Sequence, residues 1–157
     1  MTPFADIEAA LDGFDSARID AGEGDPAGRL LGLAEMVLEN WIKARDEAPT
    51  ADEREGFRLL ALHRQGARGE PSFNACRETC REIAYHANLL RLEPDHDETG
   101  RRAAMMAMLV RHLLLFVSGK MQVAGLGEFC CSSRGLRSLD RDAAQAPEYT
   151  PELTKVA

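Results

Sequence analysis

The sequence predicts an all-α, single-domain bundle of about five helices. Five segments repeat apolar residues at helical spacing, their connections are short, and almost no stretch alternates apolar and polar residues as a half-buried strand would. The fifth segment, 98–119, is apolar nearly all round, which predicts a central helix surrounded by the others. A chain of 157 residues is long enough for one domain with a substantial core. The expected division is a helical domain over 1–145 and a loose tail over 146–157, which holds two prolines and little apolar content.

The elements follow in order. Pro3–Phe14 places Phe4, Ile7, Leu11 and Phe14 on one side, with Thr2 as a fitting N-cap and Pro3 in the first turn. Residues 20–28 read as a loop. Pro26–Asp46 is the clearest amphipathic helix. Leu30, Leu33, Ala34, Val37, Leu38, Trp41 and Ala44 form its apolar stripe, and Asp25 followed by Pro26 is a start signal. A third helix is expected over about Thr50–Gln65, where Thr50 and Glu53 form a capping-box pattern. The fourth, Ser72–Leu92, puts Phe73, Cys76, Cys80, Ile83, Ala84, Ala87 and Leu90 on one face and stops before Pro94. The fifth ends near Gly119. Residues 120–135 are rich in small side chains and read as a short strand or packed loop, with a short helix near 134–145.

Charge and composition narrow the function classes. Acids outnumber bases 26 to 19, giving a net charge of −7 and a pI near 5.1, which argues against nucleic acid as a main partner. Residues 1–25 carry seven acids and one base, Arg18, unlike a signal peptide. The longest apolar run, Ala103–Val117, is broken by Arg111 and His112 and falls short of the roughly 20 residues of a membrane span. Arginine is far commoner than lysine (Lys43, Lys120 and Lys155 only), a bias of GC-rich bacterial genomes. The expectation is a soluble bacterial protein of the cytoplasm, without membrane or nucleic-acid partners.

Four cysteines could carry chemistry: Cys76, Cys80, Cys130 and Cys131. Cys76 and Cys80 are neighbours on one helical face. They lie inside the apolar stripe, so they read first as core residues and second as a redox pair. A shared metal site is disfavoured, because adjacent Cys130 and Cys131 chelate one ion poorly; no metal ligand and no cofactor are expected. All-α enzymes of the alkylhydroperoxidase-D type carry C-x2-C and a following histidine. Here the spacing is C-x3-C with His86 six residues beyond Cys80, a departure at both intervals.

Cys131–Arg137, followed by Ser138, spells C-x5-R-S and resembles the phosphate-binding loop of the tyrosine phosphatases over eight residues. The resemblance implies a thiolate nucleophile at Cys131 and a phosphoryl-gripping fork at Arg137. Those enzymes hang the loop on a parallel sheet, which this sequence does not predict.

Three further groups carry polar or charged side chains at suggestive spacing. Glu78, Glu82 and His86 follow one another at i,i+4 and read as a solvated face with Arg77 and Arg81. His112, at helical spacing from Met105, Met108 and Phe116, is expected to be buried, bonded to a carbonyl or serving as the polar group of a small apolar-ligand pocket. Arg134, Arg137 and Arg141 form a basic cluster that could hold a phosphate or carboxylate. No complete catalytic constellation emerges. The first expectation is therefore a non-enzymatic binding or interaction protein, self-associating as a homodimer or binding another protein. The alternative is a cysteine-based redox or metal-binding enzyme or sensor using Cys76 with Cys80, or Cys131 with Arg137.

Overall fold

The computed structural model describes residues 4–14 and 24–126. Five α-helices occur among them: α1 (Ala5–Asp12), α2 (Pro26–Ala44), α3 (Arg58–Ala67), α4 (Arg77–Leu92) and α5 (Thr99–Ala124). A 3₁₀ turn, Pro71–Cys76, leads into α4. No strand occurs among the described residues, so the all-α bundle expected from the periodicity is what forms. The Thr2–Pro3 start, the segment after 126 and the 146–157 tail lie outside the described residues.

The core joins the stripes of all five helices, with Ile7, Leu30, Leu38, Trp41, Leu59, Leu62, Phe73, Ile83, Met106 and Leu113 fully buried. Each such large apolar side chain contributes about 1.5–3 kcal/mol by leaving water. Helix α2 packs against each of the other four helices, and α5 packs mainly against α4 and α2. Helix α2 begins as its sequence directs: Asp25 Oδ1 accepts from the Gly28 N–H at 3.0 Å.

Helix α3 differs from the sequence expectation. It starts at Arg58, eight residues later than the Thr50 capping box implied. Thr50 organises a loop instead. Its Oγ1 accepts from the Asp52 N–H at 3.0 Å, and its own N–H donates to Gln65 Oε1 at 2.8 Å. Short Ser/Thr-to-backbone bonds of this kind compete with helix formation. The loop closes in a tight turn, where Arg54 and Phe57 exchange both backbone hydrogen bonds, at 3.0 and 2.9 Å. Glu55 and Gly56 occupy its centre with φ of 55° and 84°, the type I′ pattern.

Helix α4 also starts later than Ser72. Pro71 opens a 3₁₀ turn, and the α-helix proper begins after Cys76, its N-cap residue. Helix α5 runs past Gly119 to Ala124 and closes in a Schellman arrangement. The Leu126 N–H donates to Met121 O at 2.8 Å and the Gly125 N–H to Gln122 O at 3.2 Å. By length and composition α5 could cross a membrane, with a mean hydropathy of 1.4 in its most apolar window. One face of it packs along the bundle through Met106, Val110, Leu113, Leu114, Val117 and Met121, so it is not the surrounded central helix that its composition predicts. A stripe containing Met105, Met108, His112, Leu115 and Val123 stays exposed.

Candidate functional site

The turn between α3 and α4 is tied down from several sides. Glu70 accepts from Arg45 at 3.3 Å and from Lys120 Nζ at 3.2 Å, and Lys120 also donates to Ser72 Oγ. Phe73 anchors the turn in the core, its ring tilted by 40° against Trp41 at 4.8 Å and edge-on at 5.6 Å to Phe116. Trp41 fixes α3 in turn: its Nε1–H donates to Gly66 O at 3.1 Å. A side chain at residue 66 would meet Trp41 Cδ1 at 3.2 Å, so glycine permits this close approach.

This clamp brings His63 of α3 over the start of α4. His63 Nε2 lies 3.0 Å from the carbonyl oxygen of Phe73, and Cys76 Sγ lies 3.3 Å from the same oxygen. A carbonyl only accepts, so Nε2 carries a hydrogen and Cys76, as a thiol, donates. His63 and Cys80 both lie close enough to Cys76 to bear on its acidity. Three reactive side chains are thereby gathered at the 3₁₀-to-α junction.

The two thiols differ in acidity. The hydrogen bond from Cys80 lowers the Cys76 pKa most strongly; burial opposes this and His63 adds to it, leaving Cys76 at about 6. The N-terminus of α4 is also a favourable place for a thiolate. Cys80 moves the other way: its bond to Cys76, together with burial, pushes its pKa well up. Burial disfavours charge on His63, but its bonds to Cys76 and to the Phe73 carbonyl outweigh that, and its pKa rises. Cys76 is 3% exposed, Cys80 0% and His63 7%.

One edge of the buried His63 contributes to the lining of an open cleft of about 1260 Å³. Arg54, Arg64, Arg68, Arg77 and Arg81 line it too. Arg81 is held by both carboxylate oxygens of Glu55, at 3.2 and 3.1 Å. The cleft carries two carboxylates of its own, Asp52 and Glu53.

The other sequence candidates fare differently. His112 is exposed, not buried as expected, and Met105 and Met108 are 41% and 58% exposed, so the three form no walled pocket. The reason is rotational: the core-facing stripe of α5 runs through Met106, Val110, Leu113 and Val117, which turns His112 outward. Glu78 and Glu82 are exposed, as a solvated face requires, and His86 Nδ1 bonds back to Glu82 O at 2.9 Å. Cys130, Cys131, Arg134, Arg137 and Arg141 lie outside the described residues. Among the described residues, no three His, Cys, Asp or Glu side chains are arranged to hold a metal ion.

Sequence reasoning identified the cysteine pair and missed His63 and the arginine cleft. The signal for His63 was present: a polar residue among Leu59, Leu60 and Leu62, shortly before a Gly- and Pro-containing turn that folds the chain back. No family model, curated protein or solved structure matches this chain.

Proposed function

We propose that this chain is a thiol–disulfide protein of the bacterial cytoplasm whose reacting groups are Cys76 and Cys80, positioned by His63. One observation carries the reading. Two buried cysteines stand one turn apart at a helix start, and a histidine from the facing helix shares the carbonyl acceptor of the first. Inert core cysteines need no such histidine.

The chemistry balances with a disulfide as oxidant. The Cys76 thiolate attacks one sulfur of the incoming disulfide, whose S–S bond breaks as one thiolate leaves. That leaving thiolate takes the Cys80 proton. Cys80 then attacks Cys76 Sγ, forming the Cys76–Cys80 bond and expelling the second thiolate. Two electrons pass from the chain to the substrate. His63 donates to the Cys76 thiolate before attack and orients it. Cysteines at i,i+4 lie near the upper distance limit for a disulfide, so bonding needs the helix start to yield. Cys76 is placed for that, because it caps the helix and lies outside its regular turns.

The test uses a Cys130→Ser/Cys131→Ser chain equilibrated against thiol–disulfide buffers. The expected result is a folded protein that loses two hydrogens, with the bond mapped to Cys76–Cys80. A pair that stays reduced in the folded chain and oxidises only in denaturant would return both cysteines to the core.

A second reading, an interaction protein or homodimer, is favoured by the exposed apolar stripe of Met105, Met108, Leu115 and Val123 on α5. Sedimentation of the natural chain against Met108→Glu/Leu115→Glu checks it: a dimer that the double variant splits supports it, and a monomeric natural chain removes self-association.

A further inference from the structure

We infer that the cleft beside His63 selects a small disulfide bearing carboxylates, an acidic low-molecular-weight disulfide. This inference rests on the dithiol reading above and adds the substrate class. The chain is acidic overall, at −7, yet the cleft that His63 lines is basic. Five arginines line the cleft against two carboxylates, Asp52 and Glu53. Arg81 is already neutralised by Glu55. Arg64, Arg68 and Arg77 are exposed and have no carboxylate within 4 Å among the described residues. Unpaired guanidinium forks converging on a concave surface are suited to carboxylates, which they bind through two parallel hydrogen bonds.

The arginines lie where a bound disulfide would need them. Arg77 immediately follows Cys76, Arg64 immediately follows His63, and Arg68 lies at the end of the same helix. All of them line the same cleft as His63 and Asn74, so a molecule held by its carboxylates on Arg64, Arg68 and Arg77 lies beside His63 and the 3₁₀ turn. Cys76 is nearly enclosed, so attack requires that turn to open locally. The flanking residues Asn74, Ala75 and Arg77 are all exposed, which leaves it little to break on the outer side. The reaction is the one written above, with the acidic disulfide as oxidant: it gains two electrons and leaves as one thiol and one thiolate, the latter taking from water the proton that Cys76 gave up.

Three probes of one chemistry and different charge test the inference on the Cys130→Ser/Cys131→Ser chain. They are glutathione disulfide (net anionic), bis(2-hydroxyethyl) disulfide (neutral) and cystamine (dicationic). Rates of Cys76–Cys80 oxidation are followed by mass spectrometry and divided by each probe's rate with a free model thiol. The expected result is a normalised preference of ~10-fold or more for the anionic over the cationic probe, the lower end of electrostatic steering. That preference should collapse at about 1 M salt and in a folded Arg64→Glu/Arg68→Glu chain. Normalised rates within about twofold for all three probes, unmoved by salt, overturn the substrate class and leave the dithiol reading standing. No oxidation by any probe in the folded chain overturns the dithiol reading itself. The salt and probe series use natural arginines, so they decide the matter even if the double variant does not fold.

Discussion

His63 and Cys76 share one hydrogen-bond acceptor, the carbonyl oxygen of Phe73, at 3.0 and 3.3 Å. The two residues are 13 positions apart and on different helices. Their meeting is a product of the α3–α4 turn and of the aromatic stack beneath it. The sharing has an electrostatic result. Once Cys76 ionises it no longer donates to the carbonyl, and His63 is left as the side-chain donor to that oxygen.

The first prediction concerns acidity. Alkylation of Cys76 in the folded chain should follow thiolate formation with a midpoint near pH 6, about the value set by its neighbours. The rate should rise from pH 5 and be level by about pH 7.5, whereas an ordinary thiol near 8.5 would still be climbing. Cys80 should not react over that range, since its pKa moves upward. Iodoacetamide labelling with peptide mapping reads both sites at once. A Cys76 midpoint near 8.5 would contradict the assignment.

Replacing His63 isolates its share. His63→Gln keeps a donor near Cys76 but cannot hold a proton charge. The Cys76 midpoint should move upward, and His63→Ala should move it further. The order Ala above Gln above natural is the diagnostic, because simple loosening of the turn would affect both variants alike. Melting curves recorded alongside separate acidity from stability.

Arg58 offers a test away from the cysteines. Its guanidinium bridges Glu35 at 3.3 Å, bonds Glu39 and donates through Nε to Thr50 O at 2.9 Å. Burial raises the Glu35 pKa even with Arg58 beside it. Arg58→Met should cost about 1–3 kcal/mol at neutral pH, below the value for a fully buried pair because the groups keep some solvent. The sign of the pH effect follows. Without Arg58 the Glu35 pKa rises further above its unfolded value. The folded state then gains ground as pH falls and Glu35 takes up a proton. The deficit should shrink between about pH 7 and pH 4 in urea titrations; a constant deficit would mean lost packing alone.

The sequence made the helices legible because the stripes in 26–46 and 72–92 are long and their period is clear. It misplaced the start of α3 because Thr50 and Glu53 match a capping box by type, while Thr50 spends its hydrogen bonds on Asp52 and Gln65. The cysteine pair was visible from its spacing alone. The partnership with His63 was not, since it depends on the chain reversal after Gly66 and on Phe73 filling the core. Helix α5 was hardest: nearly every face is apolar, so periodicity could not say that His112 and Met108 point outward.

Trp41→Phe probes the support under the site. The ring still fills the core, but the Gly66 carbonyl loses its donor in a buried position. The expected loss is about 1–3 kcal/mol, read from the denaturation midpoint. A neutral result would show that water or another donor reaches Gly66 O.

Trp41 is the single tryptophan of the chain, and it lies against Phe73, whose backbone oxygen is the acceptor for both His63 and Cys76. The molecule therefore carries one indole probe, seated against the residue whose carbonyl joins His63 to Cys76. Emission from this indole should change colour or yield when the turn that holds Phe73 moves, so opening of that turn can be followed in real time without a dye.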